Sequence, residues 1–152
     1  MDNLVRPDAV LATVKATSKK QALQEIAGRA EDVYGIEARL VVEKLLAREK
    51  LGSTSMGGGV AIPHARIPGV DRIVGLFARI EKPVDFDAAD GQGVDLMFVL
   101  LAPESAGADH LRALAKVSRL LRDKAQCAKL RATAEREALF ALLTDIATSR
   151  AA

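Results

Sequence analysis

Leu96-Met97-Phe98-Val99-Leu100-Leu101 is a run of apolar residues with no polar position facing either side. A strand at the surface of a sheet alternates in polarity; one that is apolar on both faces needs cover on both. The run therefore predicts a strand, Val94–Leu101, at the centre of a sheet with helices above and below it. Two further strands are expected at Val60–Ile62 and Arg72–Ile80, and a first one around Val10–Val14.

Helical periodicity occupies both ends of the chain. Ser18-Lys19-Lys20-Gln21 has the form of a capping box. Leu23, Ile26, Ala27, Ala30 and Tyr34 then share one helix face, and Gly35 is a natural stop. A second helix is expected from about Glu37 to Lys50, with Val41, Val42, Leu45 and Leu46 as its apolar stripe and Gly52 ending it. A third spans about Asp109–Arg122 with Leu111, Leu114 and Leu121 in phase. The last begins near Glu135 and carries Leu139, Leu142, Leu143 and Ile146. Helices at the ends with strands between them predict an α/β fold, a single domain with a mixed β-sheet flanked by α-helices.

With 152 residues the chain can bury a core without disulfides or metal. Aromatic residues are 3% of it, too few for platforms on which bases or sugars stack. The formal charge is +2 and no Lys/Arg cluster stands out, so nucleic acid is not an expected partner. A single cysteine, Cys127, reads as a half-buried structural residue, and one Cys with two His makes a metal site improbable. No organic cofactor is indicated. No apolar run approaches the roughly 20 residues of a membrane span. The N-terminus lacks a basic segment followed by an apolar one. A cytoplasmic location without membrane insertion is expected.

The chemistry concentrates at Gly57-Gly58-Gly59-Val60-Ala61-Ile62-Pro63-His64-Ala65-Arg66. Pro63 has no amide proton and favours extended geometry at Ile62. The strand should stop pairing where His64 begins, leaving an accessible imidazole at a sheet edge. Gly57, Gly58 and Gly59 permit unusual dihedrals and let amides converge on an anion, although glycine triplets also occur in plain turns. The Lys-Ser/Thr of a Walker loop is missing, so nucleotide binding is not indicated. Ser53 and Thr54 supply hydroxyls, while Arg48 and Arg66 are guanidinium groups suited to phosphoryl oxygens. Each arginine by itself reads equally as a solvated charge. His110 falls in the first turn of a helix after the loop Pro103–Gly107, where a neutral imidazole beside an anion is favoured; a solvent-facing histidine there is equally ordinary.

Together these residues resemble a family. Leu51-Gly52-Ser53-Thr54, the glycine loop and Ala61-Ile62-Pro63-His64 are similar to the pattern of the mannitol/fructose/nitrogen-regulatory IIA proteins of the phosphotransferase system. Arg48 upstream and Glu104-Ser105 and Asp109-His110-Leu111 downstream extend the likeness from about residue 5 to 146. The resemblance implies one type-2 IIA domain over residues 1–152 with a mannitol-IIA-like fold. It implies that His64 accepts a phosphoryl group, through Nε2, from a histidine on an HPr-like carrier fed by enzyme I. His110 would stabilise that group and Arg48 would organise the site. Gly58 and Ala65 depart from the commoner Asn and Gly, which touches loop geometry and removes no reactive group.

The run Gly107–Leu121 looks most like the nitrogen-regulatory branch, whose members regulate other proteins by phosphorylation state. The alternative implied by the same chemistry is a fructose- or mannitol-type transport IIA that passes phosphate to a sugar-specific IIB. The apolar helix faces leave a weak homodimer open.

Overall fold

The computed structural model describes residues 4–151, with side chains as far as Thr144. In chain order the elements are β1 (Val5–Val14), α1 (Lys19–Tyr34), α2 (Ala38–Lys50), β2 (Ser55–Gly57), β3 (Val60–Ala61), β4 (His64–Arg66), β5 (Val74–Val84), β6 (Val94–Ala102), α3 (Ala108–Arg122), α4 (Lys124–Ala132) and α5 (Arg136–Ala151). No helix among the described residues is long and apolar enough to cross a membrane.

The strands form one mixed sheet in the order β1-β5-β6-β3-β2, with β4 also on β6. β5 runs antiparallel to β6, whereas β3 and β4 run parallel to it. The centre of the sheet is the strand that the apolar run predicts: Leu96 through Leu101 are fully buried. Phe77 and Phe98 sit opposite each other in the β5–β6 register, and their rings meet edge-on at 6.3 Å. Such an arrangement adds to area burial because ring edge and face carry opposite partial charge. One helical group, α1 with α2, packs on β1, β5 and β4; the other, α3 to α5, packs on β6 and β1. The result is a layered α/β domain.

Local signals explain the first helices. Ser18 caps α1 and accepts from the Gln21 amide, while Gly35 closes it in the left-handed conformation at φ 70°. The capping box differs in one bond: the Gln21 side chain accepts from the Thr17 amide and hydroxyl, not from the cap residue itself. In α2 Val41 and Leu45 are fully buried, and Val42 and Leu46 are half-buried against the core edge.

Three expectations need correction. First, β1 begins at Val5 rather than Val10, because its edge pairs with β5 from Val5 onward. Second, the buried face of α3 is His110, Ala113, Val117, Leu120 and Leu121, while Leu111 is 66% exposed. Leu121 is buried as expected and Leu114 is half-buried against the core, while His110 takes the buried place expected of Leu111. Third, α4 is an additional helix, capped by Asp123, whose carboxylate accepts from the Ala125 and Gln126 amides. Cys127 of α4 is buried rather than half-buried. Leu139 and Leu143 of α5 are buried as expected, and Ile146 lies outside the described side chains.

Candidate functional site

His64 opens a strand rather than ending one. β3 stops at Ala61; pairing with β6 resumes at His64, opposite Leu100. Pro63 has no N–H and interrupts the ladder, yet its carbonyl still accepts from the Leu100 amide at 3.0 Å. The expected loss of pairing is therefore confined to Ile62–Pro63, and His64 is half-buried rather than open. Ile62 is held in turn by its own amide, which donates to the Thr54 carbonyl at 3.0 Å.

The His64 ring places Nδ1 2.8 Å from the Ile62 carbonyl. A carbonyl oxygen can only accept, so the neutral ring carries its proton on Nδ1 and a lone pair on Nε2. Burial is the main reason the His64 pKa lies below the ordinary 6.5, the Arg48 charge adds to the lowering, and the Ile62 bond and Glu49 oppose it. The ring is a neutral base with one free nitrogen.

His110 comes from the first turn of α3 and stacks obliquely near it, ring centroids 5.6 Å apart and planes at 54°. Its pKa is also lowered, first by burial, then by His64 and Arg66. Nδ1 of His110 is shut away with no hydrogen-bond partner. A buried N–H without an acceptor is costly. The ring therefore favours the tautomer with its proton on Nε2, a donor.

Arg48 is half-buried at the end of α2, where one guanidinium nitrogen donates to the Gly52 carbonyl at 2.9 Å. Arg66 closes β4 as an exposed side chain whose charge is felt at His110. The structure thus brings His64, His110, Arg48 and Arg66 into one electrostatic neighbourhood.

The hydroxyls and the glycine loop are engaged elsewhere. Ser53 donates to the Phe86 carbonyl and accepts from the Ser55 amide at 3.1 Å, which defines a turn. Thr54 is buried, with its hydroxyl on the Glu49 carboxylate. Gly57, Gly58 and Gly59 all take positive φ, at 86°, 65° and 81°. The Gly57 amide donates to Ser55 Oγ and the Gly58 amide to Asp90 at 2.9 Å. Arg131 of α4 reaches the Gly58 carbonyl at 2.7 Å while pairing with Asp95 at 2.9 Å. A cleft of about 740 Å³ beside the loop is lined by Gly57, Gly58, Asp90 and Arg131, and by neither histidine. Two amides expected to converge on an anion are therefore satisfied by side chains of the protein itself.

Sequence reasoning missed Glu49 and Lys19. Glu49 is buried and pairs with Lys19 at 3.1 Å. Its signal was available: it occupies the next position of the buried Val41/Leu45 stripe, where a carboxylate is out of place unless partnered. Asp95 and Arg131 were missed because their pairing spans distant elements and leaves no local pattern. Among the described residues no group of three His, Cys, Asp or Glu side chains stands together as metal ligands.

Residues 3–146 match the family model described as "Phosphoenolpyruvate-dependent sugar phosphotransferase system, EIIA 2". A nitrogen regulatory protein of Bradyrhizobium diazoefficiens is 55% identical over 141 residues, covering 93% of this chain and 92% of that protein. The crystal structure of the nitrogen regulatory protein IIA-Ntr from Neisseria meningitidis superposes with a TM-score of 0.86 at 38% identity, over 92% of this chain and 96% of the other. Mannitol IIA from Escherichia coli shares the fold, with a TM-score of 0.75 at 20% identity over 91% and 97% of the two chains. With its paired histidines, its mixed sheet and these relatives, the chain belongs to the EIIA type-2 family of the phosphoenolpyruvate-dependent phosphotransferase system, on its nitrogen-regulatory side.

Proposed function

We propose that His64 is the phosphoryl acceptor and that the protein is a regulatory phosphocarrier. The single observation that carries this reading is the His64 Nδ1–Ile62 bond, which leaves Nε2 as an unprotonated nucleophile. The donor is an HPr-like carrier holding phosphohistidine. The Nε2 lone pair forms the new N–P bond as the donor N–P bond breaks, and the electrons of that bond return to the donor imidazole. The His64 ring gains positive charge in the transfer, and its Nδ1–H bond to the Ile62 carbonyl stabilises that charge. His110, donating from Nε2, and the Arg48 and Arg66 guanidinium groups offset the negative phosphoryl oxygens. Because the incoming group is already activated, positioning and charge are what the site must supply.

A phosphoryl group adds about −1.5 to −2 charge at neutral pH. At a half-buried histidine on a strand edge this changes the field of the surrounding face, a physical basis for binding some partners in one state and others in the second. The test is phosphoryl transfer from phosphoenolpyruvate through purified enzyme I and its HPr-like carrier, read by intact mass. Wild type should gain one acid-labile phosphoryl group and His64→Ala none. Labelling of His64→Ala at the wild-type level would overturn the acceptor assignment, and efficient onward transfer to a sugar-specific IIB would replace the regulatory reading with transport.

A further inference from the structure

We propose that Glu49 is a positioning residue for the reacting histidine, acting through Thr54 and Ile62. This inference rests on the reading of His64 as acceptor.

The connection can be followed bond by bond. The Glu49 side chain is 3% exposed, and every partner it has is inside the protein. Oε2 accepts from the Thr54 hydroxyl, and Oε1 accepts from the Thr54 amide at 3.3 Å and from Lys19 Nζ at 3.1 Å. Thr54 is thus gripped at both its backbone and its side chain by one carboxylate. Its carbonyl receives the Ile62 amide at 3.0 Å, and the Ile62 carbonyl receives the His64 Nδ1 proton at 2.8 Å. Each link fixes the direction of the next acceptor. The tautomer and the aim of the His64 ring therefore depend on a carboxylate whose own hydrogen bonds go to Thr54 and Lys19.

The other side of the same turn is braced separately. Lys19 also reaches Asp87 at 3.4 Å and lies over the Phe86 ring at 5.0 Å, while Ser53 donates to the Phe86 carbonyl. A buried ion pair is weak grounds for stability, since apolar residues of the same volume often do as well. What a carboxylate offers and a leucine cannot is a pair of directed, charge-assisted acceptors. Two donors of a single residue use them here, which is the arrangement expected of a device that sets geometry.

The test compares Glu49→Ala, Glu49→Gln and Thr54→Val with wild type. The first readout is the nitrogen-15 spectrum of the His64 ring in the unphosphorylated protein. Wild type should show one neutral form with the proton on Nδ1; Glu49→Ala and Thr54→Val should show a mixture of both tautomers. The second readout is transfer from the phosphorylated carrier. The rate at saturating donor should fall by about 10–100-fold in these two variants with half-saturation unchanged, and Glu49→Gln, which keeps an acceptor oxygen, should recover part of it.

Wild-type ring spectra in folded Glu49→Ala and Thr54→Val would overturn the proposal, as would a defect confined to donor half-saturation. Should Glu49→Ala fail to fold, Thr54→Ser against Thr54→Val decides: a wild-type tautomer in the serine variant and a mixture in the valine variant support the proposal, and wild-type spectra in both overturn it. The ring spectrum needs no donor. A wild-type protein that takes no label would sink the acceptor reading while leaving the Glu49 result intact.

Discussion

For the acceptor role proposed for His64, the ring has to be neutral and must offer the correct nitrogen. At His64 burial meets the first need and the Ile62 carbonyl the second. Burial also lowers the pKa of His110, and the nearby His64 charge adds to that lowering. Neutral His64 should therefore persist below pH 6.5, and an NMR titration of the ring should give a midpoint under that value. The stability consequence follows by linkage. The unfolded chain binds protons near the ordinary 6.5 that the native rings refuse until lower pH, so stability falls as pH drops through 6.5. Urea unfolding at pH 7.5 and 5.5 should show this loss, and His64→Gln should reduce it. His110→Ala should slow labelling of His64 by about 10–100-fold through loss of one donor, measured as the transfer rate at saturating carrier. A neutral His110 was legible from its place at a helix start, whereas the burial that lowers the His64 pKa was not. The Pro-His pair and the glycines pointed to His64, but its tautomer is read from the Ile62 carbonyl, a contact made only in the folded turn where the Ile62 amide meets Thr54.

At the level of elements, the glycine loop depends on backbone angles that other residues rarely adopt. A Cβ at Gly59 would lie 2.7 Å from the Arg131 guanidinium and 3.1 Å from the Asp95 carboxylate, at a φ of 81°. Gly59→Ala should destabilise the fold by roughly 1–3 kcal/mol, read as a lower urea midpoint with an unchanged slope. That the loop needs glycine was readable; the reason was not. Its amides meet Ser55 and Asp90, and its carbonyls meet Arg131, Asp95 and Leu96, none of which announces itself by spacing. The α3 phase was misread for a related reason. Leucines are the default guide to a buried face, yet His110 takes a buried position there and Leu111 is left outside. α4 left a usable signal, since Asp123 followed by Gln126 is the start of a helix on the same rule that located α1. Without a glycine or proline after Arg122, the break itself was hidden.

Across the whole molecule, everything is organised on β6. It pairs with β5 on one side and with β3 and β4 on the other, α3 and α4 pack on it directly, and α1 with α2 packs on its neighbours β5 and β4. This much was legible because six consecutive buried side chains admit hardly any other placement. Phe98→Ala would remove the edge-on contact with Phe77 and open a cavity at the centre of the sheet. A loss of about 3–5 kcal/mol is expected, with a melting temperature lowered accordingly in a thermal scan. The same position of β6 orders events during synthesis. The strand that carries His64 pairs with one made some 30 residues later, and the ring that faces it belongs to a helix later still. While the ribosome is still translating β5, His64 has neither its strand partner nor its neighbouring imidazole. The paired-histidine site proposed for the transfer is therefore complete only after the codon for His110 has been read.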